Sequence, residues 1–476
     1  MMQAIEQPAS KPSYEQLETL LYQALTEIKH LKEIIAQLQG KKSLNSQNSS
    51  KPPSTDPPWK PKSERQKSTR ANGAQKGHKG QTLKWQTNPD QVVTHSPTGT
   101  CECGLNLTKS SVSSVSKRQV LDLPELRVLV TEHHFETRVC PCGKQHPPSI
   151  PKELQIPVQY GFRMKGLAVY LMNTQFMSLK RCELFFAEVM KTRISQGSLV
   201  NWQAQAFASL EGVAQRIAKA VQTSSVVHAD ETGIHVNGVL QWWHSASTSL
   251  LTHYHVAKQR GLKGLLAGGI LEFFKGVLVH DCWIAYFQLS AVHALCNAHL
   301  LRELTRVFET TKQTWALHLK TLLYTMKTCV ESIEGLRDEK RVELELNFRN
   351  LVLEGLKANP EQERTEQALG KRGRVGQSFT RSLLVRLETH EKSWLRFLRD
   401  ARVPFDNNLA ERDVRMVKVR EKVSGGSRGL GAVWFARIRG YISTLRKQKQ
   451  DVFQAFEQLF AGCVVLPSSL VEVNPT

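Results

Sequence analysis

The sequence lacks any uninterrupted apolar stretch of about 18 residues, the length at which a membrane-spanning helix becomes a candidate. Its first residues, MMQAIEQPASKPSYEQ, also lack the basic segment followed by an apolar run that marks a secretory signal peptide. We therefore expect a cytoplasmic, nucleoid-associated protein with no membrane partner.

Cysteine is scarce as well. The 476 residues include nine, an odd number, and only four of them occur as close pairs. This pattern argues against an extracellular disulfide framework and favours metal binding by the paired residues.

Acidic residues are the minority among the charged ones. Against 64 Lys and Arg the chain has 43 Asp and Glu, which gives a formal net charge of +21. Lys and Arg gain affinity for polyanions by displacing the counterions condensed on phosphates, so nucleic acid is the leading partner. A merely soluble basic protein is the alternative. The chain is too long for one ordinary core, and we expect several domains.

The N-terminal residues 14–39 have a heptad pattern. It is made by apolar residues at two alternating positions: Leu17, Leu21, Ala24, Ile28, Leu31, Ile35 and Leu38. This spacing predicts a coiled-coil helix within residues 1–40 and a homodimer or higher oligomer. The alternative is an amphipathic helix packed on its own chain.

The following residues, 41–90, are rich in Ser, Pro, Gly and Lys and have hardly an aliphatic residue before Lys84. This composition predicts a flexible basic linker. Basic residues such as Lys76, His78 and Lys79 could lie along DNA phosphates and become ordered on binding. A solvated tether explains the composition equally well.

Two similar motifs, TCECGLNL at 100–107 and VCPCGKQHPP at 139–148, place four thiols in two close pairs. Thiolates in such a set can complete a tetrahedral zinc site, although one residue between the Cys of a pair is fewer than the usual two to four. We therefore predict a zinc-binding module at residues 91–155, with the ligands Cys101, Cys103, Cys140 and Cys142. His133, His134 and His146 are substitute ligands or ordinary surface histidines.

Residues 156–222 have helical patterns, and Ser178 and Ser195 each stand where an N-cap belongs. Two helices joined by the short link KTRIS predict a helix-turn-helix-like DNA-binding region. Its second helix would offer polar side chains to base edges: Gln196, Ser198, Asn201 and Gln203. A purely structural helical hairpin is the alternative.

The pattern changes to strands near residue 223. A β-rich run ends at Asp230, Asn237-Gly238 predicts a two-residue hairpin, and a later apolar strand ends at Asp281. Three antiparallel strands, a helix and a further strand are the ribonuclease-H-like order, in which the first and fourth strands are adjacent. The two acids would then lie together, whereas a turn acid after a strand is the alternative reading of each.

Electrostatics leads us to expect a third acidic residue beside Asp230 and Asp281. Carboxylates on neighbouring strands repel each other unless divalent cations lie between them, and a packed helix can supply a third ligand. The helix that begins near Asn407 offers Glu411, with Asp406 as a cap. Exposed groups on the same helix would meet DNA: Asn408, Arg412, Arg415 and Lys418.

These predictions give a multidomain α/β protein. The ribonuclease-H-like core occupies residues 223–304 and 396–462, with an all-helical insertion at 305–395 and a tail at 463–476. Trp242, Trp243 and Trp283 are interpreted as packing residues rather than base-stacking platforms.

With these features together, the sequence resembles the insertion-sequence sixty-six (IS-sixty-six) family of DDE transposases. The resemblance extends over nearly the whole chain, through SLNSQNSSKPPSTD, GAQKGHKGQTL, HADETG, HDCWIAYF, LCNAHLLREL and FDNNLAERDVRMVKVREKVSGGSRG. It implies that Asp230, Asp281 and Glu411 match the three acidic positions of the family and hold two Mg²⁺ ions. The family also suggests structural Zn²⁺ at the paired cysteines, but the CxC spacing within each pair departs from the wider spacing expected there.

The implied activity is binding of terminal inverted repeats, cleavage at the ends of the element and attack of the freed three-prime hydroxyl on target DNA, with possible accessory proteins of the element. Supporting positions lie beside the acids: Glu231, Thr232, Asn297, His299 and Asn407. For His299 and Asn408, substrate contact and scaffold hydrogen bonding both stay open. Alternatives are an inactive DNA-binding repressor and a structure-specific nuclease that makes no strand-transfer product.

Overall fold

A computed structural model of the chain describes residues 13–15, 18–25, 27–28, 44–49, 77, 79–80, 82–332, 336–362 and 375–471. The chain divides into a larger compact unit, residues 1–64, 150–184 and 194–476, and a smaller one, residues 65–149 and 185–193. Among the described residues, no helix combines the length and the apolar character that crossing a membrane requires.

Several N-terminal predictions fall largely outside the described residues. Residues 18–25 are helical, but most of the heptad positions, together with Lys76 and His78, lie beyond the described part. Within the segment predicted as a linker, residues 44–49 form a turn in which Asn45 and Asn48 are buried. The Asn48 amide donates a hydrogen bond of 2.7 Å to the carboxylate of Glu309 in the same unit.

The smaller unit contains a two-stranded antiparallel ladder, β1 (Arg138–Val139) with β2 (Gln145–His146). The strands β3 to β7 of the larger unit are Val226–Val236, Val239–Ser247, Thr252–Ala257, Val277–His280 and Val292–Leu295. The helices α1 to α14 are Phe162–Thr174, Leu179–Glu188, Gln196–Ser209, Glu211–Gln222, Leu262–Leu266, Asn297–Thr311, Thr314–Glu331, Asp338–Ala358, Phe379–Thr389, Glu391–Trp394, Arg396–Arg399, Asn408–Ser424, Gly431–Lys447 and Val452–Phe460.

The sheet of the larger unit has the order β5-β4-β3-β6-β7. β3, β4 and β5 pair antiparallel, whereas β6 pairs parallel with both β3 and β7. Asn237 and Gly238, both at positive φ, make the two-residue turn between β3 and β4, which confirms the predicted hairpin. The first and fourth strands of this sheet are adjacent, as the order of elements predicted.

Side chains alternate between the two faces along a strand. Asp230, Ile234 and Val236 therefore point to the same face of the sheet. Ile234 and Val236 pack with Val414 and Val417 of α12, and the same cluster contains Trp243, which is 1% exposed. Trp243 is thus a core residue, as predicted. Helix α12 lies directly over the strand that carries Asp230.

A second apolar cluster joins the same face, at β6 and β7, to the helices that follow them. Its residues come from both strands and from α6 to α11. Between Asn297 and Arg399 the described residues contribute helices and connecting loops. Helices α4 and α5 contact β5 on the opposite side of the sheet, so the strands lie between two helical layers.

Helix α1 packs against α14. Gly166 of α1 lies so near to α14 that an added Cβ would come within 3.1 Å of the backbone nitrogen of Glu457. Helix α3 contacts α13, and α13 contacts β5. Helices α1, α3 and α4 of the region predicted at 156–222 therefore pack on the C-terminal helices of the same unit.

Candidate active site

Asp230 and Asp281 occupy neighbouring strand positions. β3 and β6 pair in parallel as Val226 with Val277 and His228 with Val279. The same offset carried two residues further brings Asp230 opposite Asp281, immediately after the end of β6. Paired residues of a parallel ladder point to the same face, so the register continued to Asp281 would direct both carboxylates to the face that α12 covers. The Trp283 N–H donates to Asp281 Oδ1 at 3.1 Å.

The half-buried Asp230 lies among like charges. Burial raises the pKa of Asp230 well above its usual value, and the negative charges of Glu231, Asp281 and Glu411 raise it further. A hydrogen bond of 2.8 Å from the Glu231 N–H to Asp230 Oδ1 lowers the pKa and so offsets part of this rise. Clustered carboxylates of this kind are stabilised when a cation lies between them.

Glu411 lies in the first turn of α12. Its Oε2 is 3.9 Å from a guanidinium nitrogen of Arg302, and its Oε1 is 3.7 Å from Nδ1 of His299. Glu411 Oε1 and His299 Nδ1 are both buried without a hydrogen-bond partner in the described part of the chain. Glu411 therefore keeps an oxygen free for a further ligand.

The start of α12 is fixed by Asn407, which is 2% exposed. Its Nδ2 donates to the Ala229 carbonyl at 2.8 Å, and its Oδ1 lies 2.8 Å from Nδ1 of His228. Its backbone N–H donates to Cys296 Sγ at 3.1 Å, and its carbonyl accepts from the Glu411 N–H at 3.2 Å. One side chain thus connects β3, just before Asp230, with the helical turn that carries Glu411.

Asp406 has a local role beside it. Its Oδ1 accepts a hydrogen bond of 3.0 Å from the Asn408 N–H, in the manner of a helix cap. Asn407 holds the N-cap position without a capping bond from its side chain. The cap that the sequence assigned to Asp406 is therefore present, one residue before the N-cap itself.

The oxygen donors of Asp230, Asp281 and Glu411 suit a hard divalent cation. Among the described residues, the group of metal-ligating atoms that lies within 4.8 Å is Cys296, His299 and Glu411, so the three acids are spread more widely. They remain close enough for Asp281 and Glu411 to raise the pKa of Asp230.

Glu231 follows Asp230 but points to the opposite face, because side chains alternate along β3. Its side chain, 2% exposed, accepts hydrogen bonds from Arg260 at 2.8 Å and from the Tyr286 hydroxyl at 2.5 Å. The Arg260 guanidinium lies between the rings of Trp242 and Trp283, 4.9 and 4.4 Å from their centres. No local sequence pattern predicts the roles of Arg260 and Tyr286, since their partner is distant along the chain.

The remaining supporting positions have scaffold contacts. Asn297 is buried, and its Nδ2 donates to the Trp394 carbonyl at 3.2 Å while its N–H donates to the Phe405 carbonyl at 3.1 Å. Thr232 is half-buried and faces Trp243 across the ladder. Asn297 thereby joins α6 to the segment that leads into α12.

The positions predicted to contact DNA differ in exposure. Lys79, Asn201, Asn408, Arg412 and Arg415 are exposed. Lys418 donates instead to the Gly233 carbonyl and, at 2.9 Å, to Glu421, so its ammonium group joins α12 to β3.

In α3 the polar side chains are partly used within the fold. Gln196 donates to Glu183 at 2.9 Å, and Gln203 lies 3.0 Å from the sulfur of Met172. The Ser195 hydroxyl accepts from the Ser198 N–H at 3.1 Å, which confirms Ser195 as an N-cap. Gln196 and Asn201 are the exposed members of the predicted base-reading set, whereas Ser198 and Gln203 are half-buried.

The paired cysteines form two matching turns in the smaller unit. The N–H of Gly104 donates to the Cys101 carbonyl and that of Gly143 to the Cys140 carbonyl, each at 2.8 Å. Both glycines have positive φ, as a turn of the backbone around the sulfurs requires. Hydrogen bonds within the two turns lower the pKa of Cys101 and Cys142, which favours the metal-binding thiolate. Among the described residues the sulfurs do not gather in a group of three within 4.8 Å.

Comparison with protein families gives two matches. Residues 6–84 match a family of unknown function, DUF6444, and residues 157–433 match the model described as Transposase IS66 family. No curated protein matches the chain. The second match extends over more than half of the sequence and includes the sheet, Asp230, Asp281 and Glu411. The chain belongs to the IS66 transposase family.

Proposed function

We propose that the chain is an active DDE transposase, which binds the terminal inverted repeats of a bacterial insertion sequence and cuts and joins DNA at a ribonuclease-H-like core. Its family implies DNA as a partner and dependence on a divalent metal. The observation that supports the proposal is the proximity of three acids: the negative charges of Asp281, directly after β6, and of Glu411, in the first turn of α12, raise the pKa of Asp230 on the adjacent strand β3.

The residues around the acids hold them for this chemistry. Divalent ions bound by Asp230, Asp281 and Glu411, with Mg²⁺ as the proposed ion, would stabilise the attacking and leaving oxygens of phosphoryl transfer. Backbone N–H groups orient Asp230 and Asp281, and Asn407 fixes the helical turn of Glu411 relative to β3. Catalysis of this type depends on positioning and charge rather than on a covalent enzyme intermediate.

Replacement of Glu411 by Gln tests the third acid. We expect wild type to cut and join DNA from the flanks of its gene in the presence of Mg²⁺, and the variant to lose both activities because an amide is a poor metal ligand. Glu388→Gln is the matched control, since Glu388 is exposed on α9. The measurement is end-specific cleavage and strand transfer on labelled DNA.

Equal activity of Glu411→Gln and wild type would remove Glu411 from the site. Cleavage without end specificity or joining would favour a nuclease. Binding of the ends by wild type without cleavage would favour the repressor function.

Zinc is a separate proposal, supported by the two matching turns and the lowered pKa of Cys101 and Cys142. We expect purified protein to contain one Zn²⁺ per chain and Cys101 to react with an alkylating agent more slowly than Cys463, which is also exposed. Protein without zinc whose Cys101 reacts as fast as Cys463 would contradict the proposal.

The heptads motivate the proposal that the N-terminal helix pairs two chains and so brings two element ends together. A chain that lacks residues 1–40 but associates as tightly as full length in light scattering would exclude this contact as the main one.

A further inference from the structure

A basic cavity of about 290 Å³ lies beside the N-terminal half of α12, and we refer to it as the anion pocket. Its charged lining comes from α12 and α13, and two serines add hydroxyl groups: Arg412, Asp413, Arg439, Arg446 and Lys447, with Ser249 and Ser443. Four of these side chains are cationic and one is anionic. None of Arg439, Ser443, Arg446 and Lys447 belongs to the carboxylate site described above.

Two charged side chains of the lining, Asp413 and Arg439, have contacts within the fold. Asp413 accepts hydrogen bonds from Ser247 at 2.6 Å and from Lys447 at 2.8 Å, so its charge is already matched by one cation. Arg439 is 4% exposed and lies 5.5 Å from the ring centre of Phe176, and its Nε has no hydrogen-bond partner among the described residues. A buried guanidinium with an unused donor is costly unless an acceptor arrives.

The rim adds two cations that the fold does not use. Arg412 and Arg446 are exposed, and neither side chain forms a hydrogen bond or ion pair with the described residues. Burial lowers the pKa of Arg439 to about 10, and the nearby charge of Arg446 contributes to the shift. The repulsion among these cations would be relieved by an anion between them.

The position on α12 connects the pocket with the acids. Arg412 directly follows Glu411, and Asp413 is two residues beyond it, which places the pocket around the helix from the carboxylate. A helix with its side chains is about 10–12 Å wide. Phosphates of one DNA strand recur about every 3.4 Å along the axis, so a strand that crosses the helix would have a phosphate about three nucleotides from the scissile one at the pocket.

We propose that the anion pocket binds a phosphodiester group of the DNA strand whose scissile phosphate lies at Asp230, Asp281 and Glu411. This inference rests on the proposed function. Guanidinium groups bind phosphate oxygens in pairs of hydrogen bonds, and Arg412, Arg439 and Arg446 of the lining carry such donors.

The test is the salt dependence of DNA binding by Arg446→Gln. Each phosphate contact contributes about 0.9 to the slope of log affinity against log salt. We expect the variant to lose about 0.9 from this slope, so a fourfold rise in salt should weaken its binding about 3.5-fold less than that of wild type. Arg412→Gln should behave in the same way, and both should fold because these side chains are exposed.

Arg216→Gln is the matched control, because Arg216 is exposed on α4 and its side chain has no hydrogen bond or ion pair within the described residues. Its slope should equal that of wild type. Unchanged slopes in Arg446→Gln and Arg412→Gln would overturn the inference. An equal loss of slope in Arg216→Gln would also overturn it, because the effect would then be one of overall charge.

A second arm separates DNA from a free anion. Inorganic phosphate that raises the melting temperature of wild type but not of Arg446→Gln, with equal DNA slopes in both, would assign the pocket to free phosphate and overturn the DNA assignment. The two proposals fail separately: wild type that cuts element ends while the slopes do not change disproves only the pocket, whereas wild type that does not bind these ends disproves both.

Discussion

Asp230→Asn should abolish cleavage and at the same time leave the metal-free protein at least as stable as wild type. Metal-centred charge stabilisation is worth several kcal/mol, and about 4 kcal/mol corresponds to a thousandfold in rate. The variant should keep its stability because burial and neighbouring carboxylates raise the pKa of Asp230 in wild type and thereby disfavour its ionised form, which Asn lacks. The measurements are single-turnover cleavage with Mg²⁺ and thermal unfolding in EDTA.

The control is again Glu388→Gln, which removes a charge from an exposed position and should change neither quantity. DNA binding by Asp230→Asn should persist, since the carboxylate itself repels phosphate. If the variant still nicked donor DNA at the wild-type rate, Asp230 would not be a catalytic ligand. A fall of several degrees in its melting temperature in EDTA would contradict the electrostatic account of the site.

Asn407→Ala should cause the second large effect, a loss of about 3 kcal/mol of unfolding free energy together with reduced cleavage. The substitution leaves the Ala229 carbonyl and the His228 ring without their partner, and each unsatisfied buried group costs about 1–3 kcal/mol. Burial lowers the pKa of His228, so the ring is not expected to gain a proton in compensation at neutral pH. Chemical denaturation at pH 7 gives the free energy.

Asn408→Ala is the matched control for stability, because Asn408 is the next residue and its side chain is exposed. Surface substitutions usually change stability by less than about 0.5 kcal/mol. Equal stability of Asn407→Ala and Asn408→Ala would show that the contacts of Asn407 do not hold the two elements together. Wild-type cleavage by Asn407→Ala would show that they do not position Glu411.

Part of the geometry of the candidate site could be predicted from local patterns. Strand periodicity and the order of the elements placed Asp281 directly after β6 and placed β6 next to the strand of Asp230. The prediction that this strand ends at Asp230 is wrong, because β3 continues to Val236 and Asp230 lies within it. The Asn237-Gly238 turn and the Ser195 cap are signalled by the residues themselves, because their conformations depend on neighbours within four positions.

The features that were missed depend on contacts distant in sequence. The side chain of Asn407 meets Ala229 at a separation of 178 residues, and nothing in FDNNLAE distinguishes a clamp from a surface asparagine. Likewise Arg439 and Arg446 lie in an amphipathic helix whose basic residues suggest a solvated face. Their convergence with Arg412 appears only when α12 and α13 pack together.

The contacts of Asn407 also decide which changes of chain length the site should tolerate. Glu411 is placed by the single helical turn that begins at Asn407, and Asn407 is placed by β3. The long helical segment between β7 and α12 supports that placement through its first helix, α6, where Asn297 donates to the Phe405 carbonyl and His299 lies beside Glu411. Insertions in its surface loops should therefore spare the carboxylate geometry, whereas one residue added between Asn407 and Glu411 would rotate the carboxylate by about 100° around the helix and remove it from the site.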